Sequence, residues 1–596
     1  MAASVVLTVD ASINAAAFSQ PVDDYRQIIA SRGRIPDTVR LQQLTSLYLK
    51  DRQQAATVST MDGQPARWVS RVAEVAGVRE RAPVALAAVK SIDEASLPAA
   101  AKLEWRYLLH VVTAQANLAR FPVEYVEPWP SAPTSLQGWP PPSLPHATAA
   151  DYEVILEWLR GVPLRLAESM DLMRQGLSRR ITAPYQVVEP TLAFSRSIAA
   201  ADPLSTRYLS AFKDLASSSI PPDQQKVLLD RALEIHRGRI APAYADLIQF
   251  LEKPYLPAAR TRAFPAMSAL PDGAAWYAAL VRAWTGVDLS PQEIHREALA
   301  EVRHRQIELE AMARSAGFNG SHDDFVRSLP DTPQCAPRVL DADTIRAHFQ
   351  TRMRQVEQGL PKLFATIPKT PVEAEPSPTG STALSSGSAQ AGSLAARRPG
   401  RVRVTTPWGN STCGFVNVML HEGLPGHLLQ MHIAIEHAAP SDLRRQLSFP
   451  ERMVFTEGWA TYAQGLGEEL GLNLNTQTRA WAASGQMFMA ARTVIDTGVH
   501  ADGWSRDRAI EYYKGTIGWD RPENVEPVVD RVASEPATYL AYFVGRQKIA
   551  SMRARAEREL GPRFDIRLFH DEILRNGPLP LGVLDAQISD WIASRK

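Results

Sequence analysis

The amino-acid sequence predicts a mainly α-helical protein of two lobes with a small β edge. In several long segments, apolar residues recur every three or four positions with charged residues between them, as in amphipathic helices. These segments are 151–175, 222–251, 291–316 and 537–560. The alternation typical of a strand is rare, and one long stretch has the composition of a loop.

The first 368 residues are predicted to form an N-terminal helical lobe. Proline-rich breaks interrupt its helices, notably at 128–130 and 140–142, because proline lacks the backbone donor that a helix requires. The Pro/Ser/Gly-rich segment 369–400 follows. We expect a mobile loop or linker there, since its centre, 376–388, cannot form an amphipathic face. A disordered surface insertion and a lid over a cleft are the alternatives.

Residues 401–596 are predicted to form a second lobe, or the second half of one continuous two-lobed domain. The lobe begins with Arg401–Thr406, whose alternating residues predict an edge strand. An apolar run follows and ends in His421-Glu422, and a second histidine, His427, lies six positions after the first.

Two histidines and one carboxylate are the ligand set of a catalytic zinc, with one coordination position left for water. His421 and His427 supply the nitrogens, and Glu457 is the predicted third ligand. Glu422, beside the first histidine, has the position expected of a general base. These four residues predict a metal centre in the second lobe.

The spacing of the two histidines is unusual. Since a helix turns about 100° per residue, six positions would not aim both rings at one ion. Pro425-Gly426 lies between them, and this pair could form a bulge that returns His427 to the face of His421. The alternative is a helix break with incidental histidines, which requires the downstream Glu457-Gly458-Trp459 to be coincidental as well.

The H-E-x-x-P-G-H segment and the later E-G-W-A-x-Y resemble those of the bacterial domain-of-unknown-function family 885. That family is grouped with the zinc metallopeptidases of the thermolysin-like clan. The resemblance covers most of residues 150–590 in order. The other similar segments are Pro271–Tyr277, Leu289–His295, Arg492–His500 and Pro536–Gly545. The resemblance implies a two-lobed helical metallopeptidase-like fold that binds zinc.

The resemblance also implies roles for residues after the metal motif. Related helical metallopeptidases recruit a downstream histidine and tyrosine to stabilise the oxyanion, and His500 and Tyr542 are the candidates here. Tyr539, three positions earlier, is the reserve candidate and a candidate for substrate binding. Arg492 and Arg546 either bind a substrate carboxylate or belong to a structural ion-pair network.

Composition limits the partners. Lys and Arg number 65 against 64 Asp and Glu, so the net charge of +1 gives no general attraction to nucleic acid or anionic membranes. No apolar run reaches the roughly 20 residues of a membrane span. Two cysteines predict no disulfide framework. Cys413 is interpreted as a lone buried thiol, with metal ligation as the alternative.

The first residues, 1–9, are mildly apolar, but no basic residue precedes them and Asp10 follows. This is a poor secretory signal and favours a cytoplasmic protein, with a periplasmic or secreted one as the alternative if a signal peptide was removed.

Together these features predict a zinc-dependent hydrolase, a metallopeptidase that cleaves short peptides with a glutamate-activated water. One alternative is a metal enzyme acting on a non-peptide amide or specialised metabolite. Another is a non-catalytic binding protein on a peptidase scaffold, which would have no need of Glu422. The expected partner is a peptide or small amide, and the sequence leaves the oligomeric state open.

Overall fold

The computed structural model is mainly helical, as predicted. It describes residues 22–54, 58–61, 64–67, 71–126, 146–260, 266–335, 342–376, 387–404, 412–437, 441–445, 452–472, 474–517 and 522–596. The chain divides into two compact units, 1–265 with 269–271 and 266–268 with 272–596. This division lies earlier in the chain than the boundary predicted at residue 368.

In its described residues, the first unit consists of helices, connecting turns and one β-hairpin. Its helices are α1 Asp37–Gln54, α2 Arg71–Lys90, α3 Ala99–Leu118, α4 Val123–Val126, α5 Ala149–Ser178, α6 Tyr185–Ala200, α7 Pro222–Ile235, α8 Ala241–Phe250 and α9 Leu256–Arg260. The strands β1 Val58–Met61 and β2 Gln64–Arg67 pair antiparallel. Two π-helical turns, His236–Ile240 and Leu251–Tyr255, make α7, α8 and α9 one continuous helical stretch.

Helix α5 runs through the core of the first unit. Thr148 caps its N-terminus in a capping box with Asp151, which satisfies backbone donors that the first turn leaves free. Residues at seven-position spacing along the helix are fully buried, namely Tyr152, Leu159, Leu166 and Met173. This stripe is the pattern that predicted the helix, and it buries one face against α7, α8 and the two π-helical turns.

The second unit contains the remaining helices and a three-stranded sheet. The helices are α10 Gly273–Thr285, α11 Pro291–Ser315, α12 His322–Ser328, α13 Ala342–Leu363, α14 Thr412–Glu422, α15 His427–Glu436, α16 Asp442–Arg445, α17 Met453–Gln464, α18 Thr476–His500, α19 Arg506–Ile517, α20 Pro522–Ser534, α21 Leu540–Leu560, α22 Ile566–Leu574 and α23 Leu581–Arg595. The strands are β3 Val372–Pro376, β4 Gly387–Gln390 and β5 Gly400–Val404.

The strand predicted at Arg401–Thr406 is central rather than at an edge. The sheet has the order β3-β5-β4, with β3 parallel and β4 antiparallel to β5. Both edge strands come from the segment 369–400, which composition predicted to be a mobile loop or linker. Composition did not indicate these two strands because strand pairing uses backbone groups, so exposed small polar residues such as Ser388 are compatible with a ladder. Residues 377–386, most of the centre of the predicted loop, lie outside the described residues.

The C-terminal half of helix α18 is buried on every side. All eleven residues from Ala490 to His500 are buried, including Arg492, Asp496 and His500. A helix that is buried on every side needs partners for its polar residues. The hydrogen-bond partners of Arg492, Asp496 and His500 therefore indicate which of these residues have a structural role and which remain candidates for function.

Cys335 and Cys413 form a disulfide across 78 positions of sequence. The interpretation of Cys413 as a lone thiol or a metal ligand was therefore wrong. Two cysteines cannot make a framework, but they can make one bond, and sequence spacing alone does not reveal it. The bond links the short helical turn Pro333–Cys335 to the first turn of α14, the helix that ends at the metal motif.

Among the described helices, none is both long enough and apolar enough to cross a membrane.

Candidate metal centre

The two histidines of the motif belong to two helices. Helix α14 ends at Glu422 and α15 begins at His427, so the predicted bulge within one helix is a turn between two. A β-carbon on Gly426 would lie 1.9 Å from the carbonyl oxygen of His421. Only glycine permits this close approach, which folds the start of α15 back against the end of α14.

The turn brings the three predicted ligands together. Glu457 Oε2 lies 3.3 Å from His421 Nε2 and 3.4 Å from His427 Nε2. The two imidazole rings are nearly perpendicular, with centroids 4.8 Å apart. Within the described part of the chain, these three residues are the one group of His, Cys, Asp or Glu side chains whose geometry could hold an ion.

Helix α17 presents Glu457 through two contacts that sequence reasoning missed. The Trp459 indole N–H donates a hydrogen bond to the Pro425 carbonyl at 3.0 Å, which holds the turn of the motif against α17. Next to Glu457, a β-carbon on Gly458 would lie 2.5 Å from the α-carbon of Gly545 in α21. The signal in the sequence was Gly458, directly after the predicted ligand, because glycine permits such a close helix crossing.

The electrostatics of the cluster suit a cation. Burial raises the pKa of the Glu457 carboxyl, but the His427 and His421 imidazoles outweigh it and hold that pKa well below its usual range. Burial lowers the pKa of His427, and the Glu457 carboxylate reverses this and leaves it raised. Although both Nε2 atoms lie within 3.4 Å, buried Glu457 Oε2 forms no hydrogen bond with any described residue. Two imidazole nitrogens converging on an unsatisfied carboxylate oxygen fit the donor preferences of zinc.

Glu422 is close to this cluster and is not committed elsewhere. It is 8% exposed, and within the described residues no hydrogen bond or ion pair holds its carboxylate. The pKa of its carboxyl is raised, mainly because the side chain is buried. The two histidines oppose this rise and the Glu457 carboxylate adds to it. A β-carbon on Gly387 of strand β4 would lie 3.0 Å from Glu422 Cγ, so the strand passes directly beside the acid. Glu422 is therefore an available proton acceptor beside the ligands.

Tyr542 also lies close to the ligands. It precedes Gly545 by three positions on α21, at the crossing where α17 presents Glu457. Burial raises the pKa of the Tyr542 hydroxyl well above its usual value, the Glu457 carboxylate raises it further and Arg492 opposes the rise. The hydroxyl therefore stays protonated and can donate a hydrogen bond. Its action on an oxyanion stays a prediction.

His500 does not join the cluster, contrary to prediction. The Met267 backbone N–H donates to His500 Nδ1 at 3.2 Å, and His500 Nε2 donates to the Val532 carbonyl at 3.2 Å. Tyr277 packs against its ring, with centroids 5.3 Å apart. Since main-chain groups occupy both ring nitrogens, His500 has a structural role.

The two arginines predicted to bind substrate differ from each other. Arg546 donates to Glu301 at 3.0 Å, and Arg305 pairs with the same carboxylate. The ion-pair alternative therefore holds for Arg546. Among the residues that the structure describes, no carboxylate pairs with Arg492, which packs over the ring of Tyr539, the reserve candidate, at 4.9 Å.

Asp496, on the same helix, supports the approach to α21. Its carboxyl accepts hydrogen bonds from the Tyr277 hydroxyl and from the backbone N–H of Ala537, which has a positive φ of 68°. Burial raises the pKa of the Asp496 carboxyl from 3.8 to about 7. The side chain thus fixes an unusual backbone turn three residues before α21 begins.

Asp496→Asn is expected to change how stability depends on pH. In the wild type, the pKa of Asp496 is higher in the folded protein than in the unfolded chain. Its contribution to the free energy of unfolding is therefore complete below about pH 4 and is lost as the pH rises to about 7. The asparagine cannot ionise, so the variant should gain stability relative to the wild type across this range, on the order of 4 kcal/mol at most. Melting temperatures at pH 4.5 and 7.5 test this. A difference in Tm that is independent of pH would contradict it.

Gly426→Ala is expected to separate the two histidines. The new methyl group would collide with the His421 carbonyl, so the turn must open and the zinc affinity should fall at least tenfold, with a lower Tm. Gly485→Ala is the matched control, because a β-carbon there meets no atom within 4 Å. Zinc titration and thermal melting of both variants provide the test. Equal zinc affinity in the two variants would mean that the close approach does not set the ligand geometry.

Comparison with known proteins gives a family and a fold. The family model described as "Bacterial protein of unknown function (DUF885)" matches residues 60–588. No curated protein matches the chain. A solved structure described as "the putative lipoprotein from Colwellia psychrerythraea" aligns with a TM-score of 0.73 and 20% identity over 97% of this chain and 99% of that one. A second, described as "a putative lipoprotein of unknown function from Shewanella oneidensis", aligns with a TM-score of 0.64 and 15% identity over the same shares. At 20% and 15% identity, the likeness to these two structures shows the fold alone.

Proposed function

The chain belongs to the DUF885 family of bacterial proteins of unknown function, and from its own site we propose that it is a zinc-dependent hydrolase. We propose further that it is a metallopeptidase that cleaves short peptides. The observation that carries the proposal is the convergence of His421, His427 and Glu457 beside an uncommitted Glu422. A binding protein on the same scaffold would have no use for that fourth residue.

The residues divide the chemistry of amide hydrolysis among them. His421, His427 and Glu457 would hold the zinc, which when bound supplies Lewis acidity and lowers the pKa of water. Glu422 accepts the proton of the attacking water and delivers it to the leaving nitrogen. The Tyr542 hydroxyl donates a hydrogen bond to the oxygen that becomes negative as the carbonyl is attacked.

Tyr542→Phe is expected to lower kcat by roughly 10²-fold, the size of effect that follows loss of one oxyanion donor, and to change KM little. The reason is that the hydroxyl acts on charge that develops in the transition state rather than in the bound substrate. Tyr539→Phe is the matched control, because its ring stacks on Tyr542 at 6.4 Å but its hydroxyl is not assigned to the oxyanion. Steady-state kinetics of both variants test the assignment. A larger loss of kcat in Tyr539→Phe than in Tyr542→Phe would mean that Tyr539, and not Tyr542, donates to the oxyanion.

A substrate screen tests the proposal as a whole. The zinc-loaded protein is incubated with a mixture of short peptides, and the products are identified by mass spectrometry. We expect cleavage that a chelator stops, that added zinc restores and that Glu422→Gln lacks. Turnover of non-peptide amides alone would change the substrate class, and the absence of any zinc-dependent hydrolysis would overturn the proposal.

We also infer that the protein functions outside the cytoplasm. The disulfide between Cys335 and Cys413 supports this, because such bonds persist in oxidising compartments and are rare in the cytosol. The descriptions of both similar structures as lipoproteins agree with it. Thiol labelling of the protein in its native cells should find both cysteines unreactive, and two reactive thiols would restore the cytoplasmic expectation.

A further inference from the structure

Among the described residues, Arg492 is a buried cation without a carboxylate partner. The described residues include four buried arginines, and three of them, Arg40, Arg81 and Arg165, form an ion pair with a carboxylate 2.5–3.3 Å away. Arg492 is 8% exposed and, within the same described residues, pairs with no acid. Its buried Nε has no hydrogen-bond partner. An uncompensated buried charge is strongly unfavourable, so this position requires another explanation.

The surroundings of Arg492 orient the guanidinium without neutralising it. Its central carbon lies 4.0 Å from the ring centroid of Phe488 and 4.9 Å from that of Tyr539. The acid one turn later on the helix, Asp496, accepts its hydrogen bonds from Tyr277 and Ala537 instead. The aromatic faces stabilise a cation, while the edge of the guanidinium, which carries the N–H donors, keeps no acidic partner.

A row of contacts connects this cation to the metal centre. The Tyr539 ring below Arg492 is nearly parallel to the Tyr542 ring, with an interplanar angle of 15°. Tyr542 precedes Gly545, whose α-carbon is in close contact with the glycine that follows Glu457. Two stacked tyrosine rings and the crossing of Gly545 with Gly458 therefore connect Arg492 to the segment that carries Glu457, all within the second unit.

We propose that Arg492 binds the substrate's C-terminal carboxylate, so that the preferred substrates are short peptides cleaved near a free C-terminus. The proposal rests on the proposed hydrolase function. A guanidinium forms two parallel hydrogen bonds with a carboxylate, which fixes the orientation of the group as well as binding it. The missing countercharge of Arg492 is then supplied by the substrate.

Binding measurements test this independently of turnover. The zinc-loaded Glu422→Gln variant is titrated calorimetrically with a short peptide as the free acid, as its C-terminal amide, and as an amide with an acidic side chain. We expect the free acid to bind at least tenfold more tightly than either amide. Arg492→Gln in the same background should reduce this ratio to about one, and Arg492→Lys should leave it intermediate. Arg508→Gln, an exposed arginine over the Trp504 ring, is the matched control and should leave the ratio unchanged.

The outcomes separate this inference from the proposed function. Equal binding of acid and amide would overturn the role of Arg492, even if the protein hydrolyses both peptides. Tight binding of the amide with an acidic side chain would overturn the C-terminal assignment. A preference for the free acid that depends on Arg492, in a protein that hydrolyses no peptide, would support the binding site and reject the peptidase. Zinc content and Tm show whether Arg492→Gln folds, and the comparison of acid with amide does not depend on that variant.

Discussion

Replacing His427 by alanine is expected to remove the zinc and abolish turnover. The substitution leaves two of the three converging side chains, His421 and Glu457, and two ligands rarely hold zinc in competition with solvent. Loss of an outer-shell partner alone typically lowers metal affinity 10- to 100-fold, so loss of a direct ligand should lower it by at least roughly 100-fold. The measurements are zinc content after dialysis and kcat/KM on the peptides found in the substrate screen.

The same chain provides a control for this substitution. His437 directly follows the last residue of α15, the helix that begins at His427, and it is exposed. His437→Ala should keep both zinc and activity. If both variants retain zinc equally, the ligand assignment fails. If His427→Ala loses zinc but keeps full activity, the metal has no part in the reaction.

Glu422→Gln is expected to separate metal binding from catalysis. Glutamine keeps the size of the side chain but cannot accept the proton of the attacking water, so kcat should fall by at least roughly 10²-fold. The zinc content should stay at the wild-type level, because Glu422 is not one of the three converging ligands. Parallel metal analysis and kinetics test both expectations.

Glu375→Gln is the control for this acid. Glu375 is a partly exposed residue of β3 that forms an ion pair with Arg403 at 3.4 Å, and it should be replaceable without loss of activity. A fully active Glu422→Gln variant would assign the base to another residue. A variant that lost its zinc would make Glu422 a ligand.

Local sequence was sufficient for the helical class and for the residues of the candidate metal site. His421, Glu422 and His427 are near each other in the chain, and the pair of residues between the histidines indicated a departure from a straight helix. Sequence indicated the break but not its form, because two helices with a tight turn and one bulged helix use the same residues. The convergence of Glu457 depends on Trp459 and on a close helix crossing, which are tertiary contacts.

The errors arose where distant partners decide the role of a residue. His500 has the type and position of a functional histidine, but the backbone groups of Met267 and Val532 occupy its ring. Arg492 and Arg546 could not be distinguished by sequence, since the partner of Arg546 lies 245 positions away. The disulfide and both edge strands also depend on pairings between separated segments, which composition does not contain.

The central claim is that one zinc ion binds between His421, His427 and Glu457. Crystals of the protein with equimolar zinc, measured on both sides of the zinc absorption edge, test it most directly. We predict one strong anomalous peak at about 2.0–2.2 Å from Nε2 of both histidines and from a carboxylate oxygen of Glu457. A map without a peak at this position, or with its strongest zinc peak at other residues, would contradict the claim.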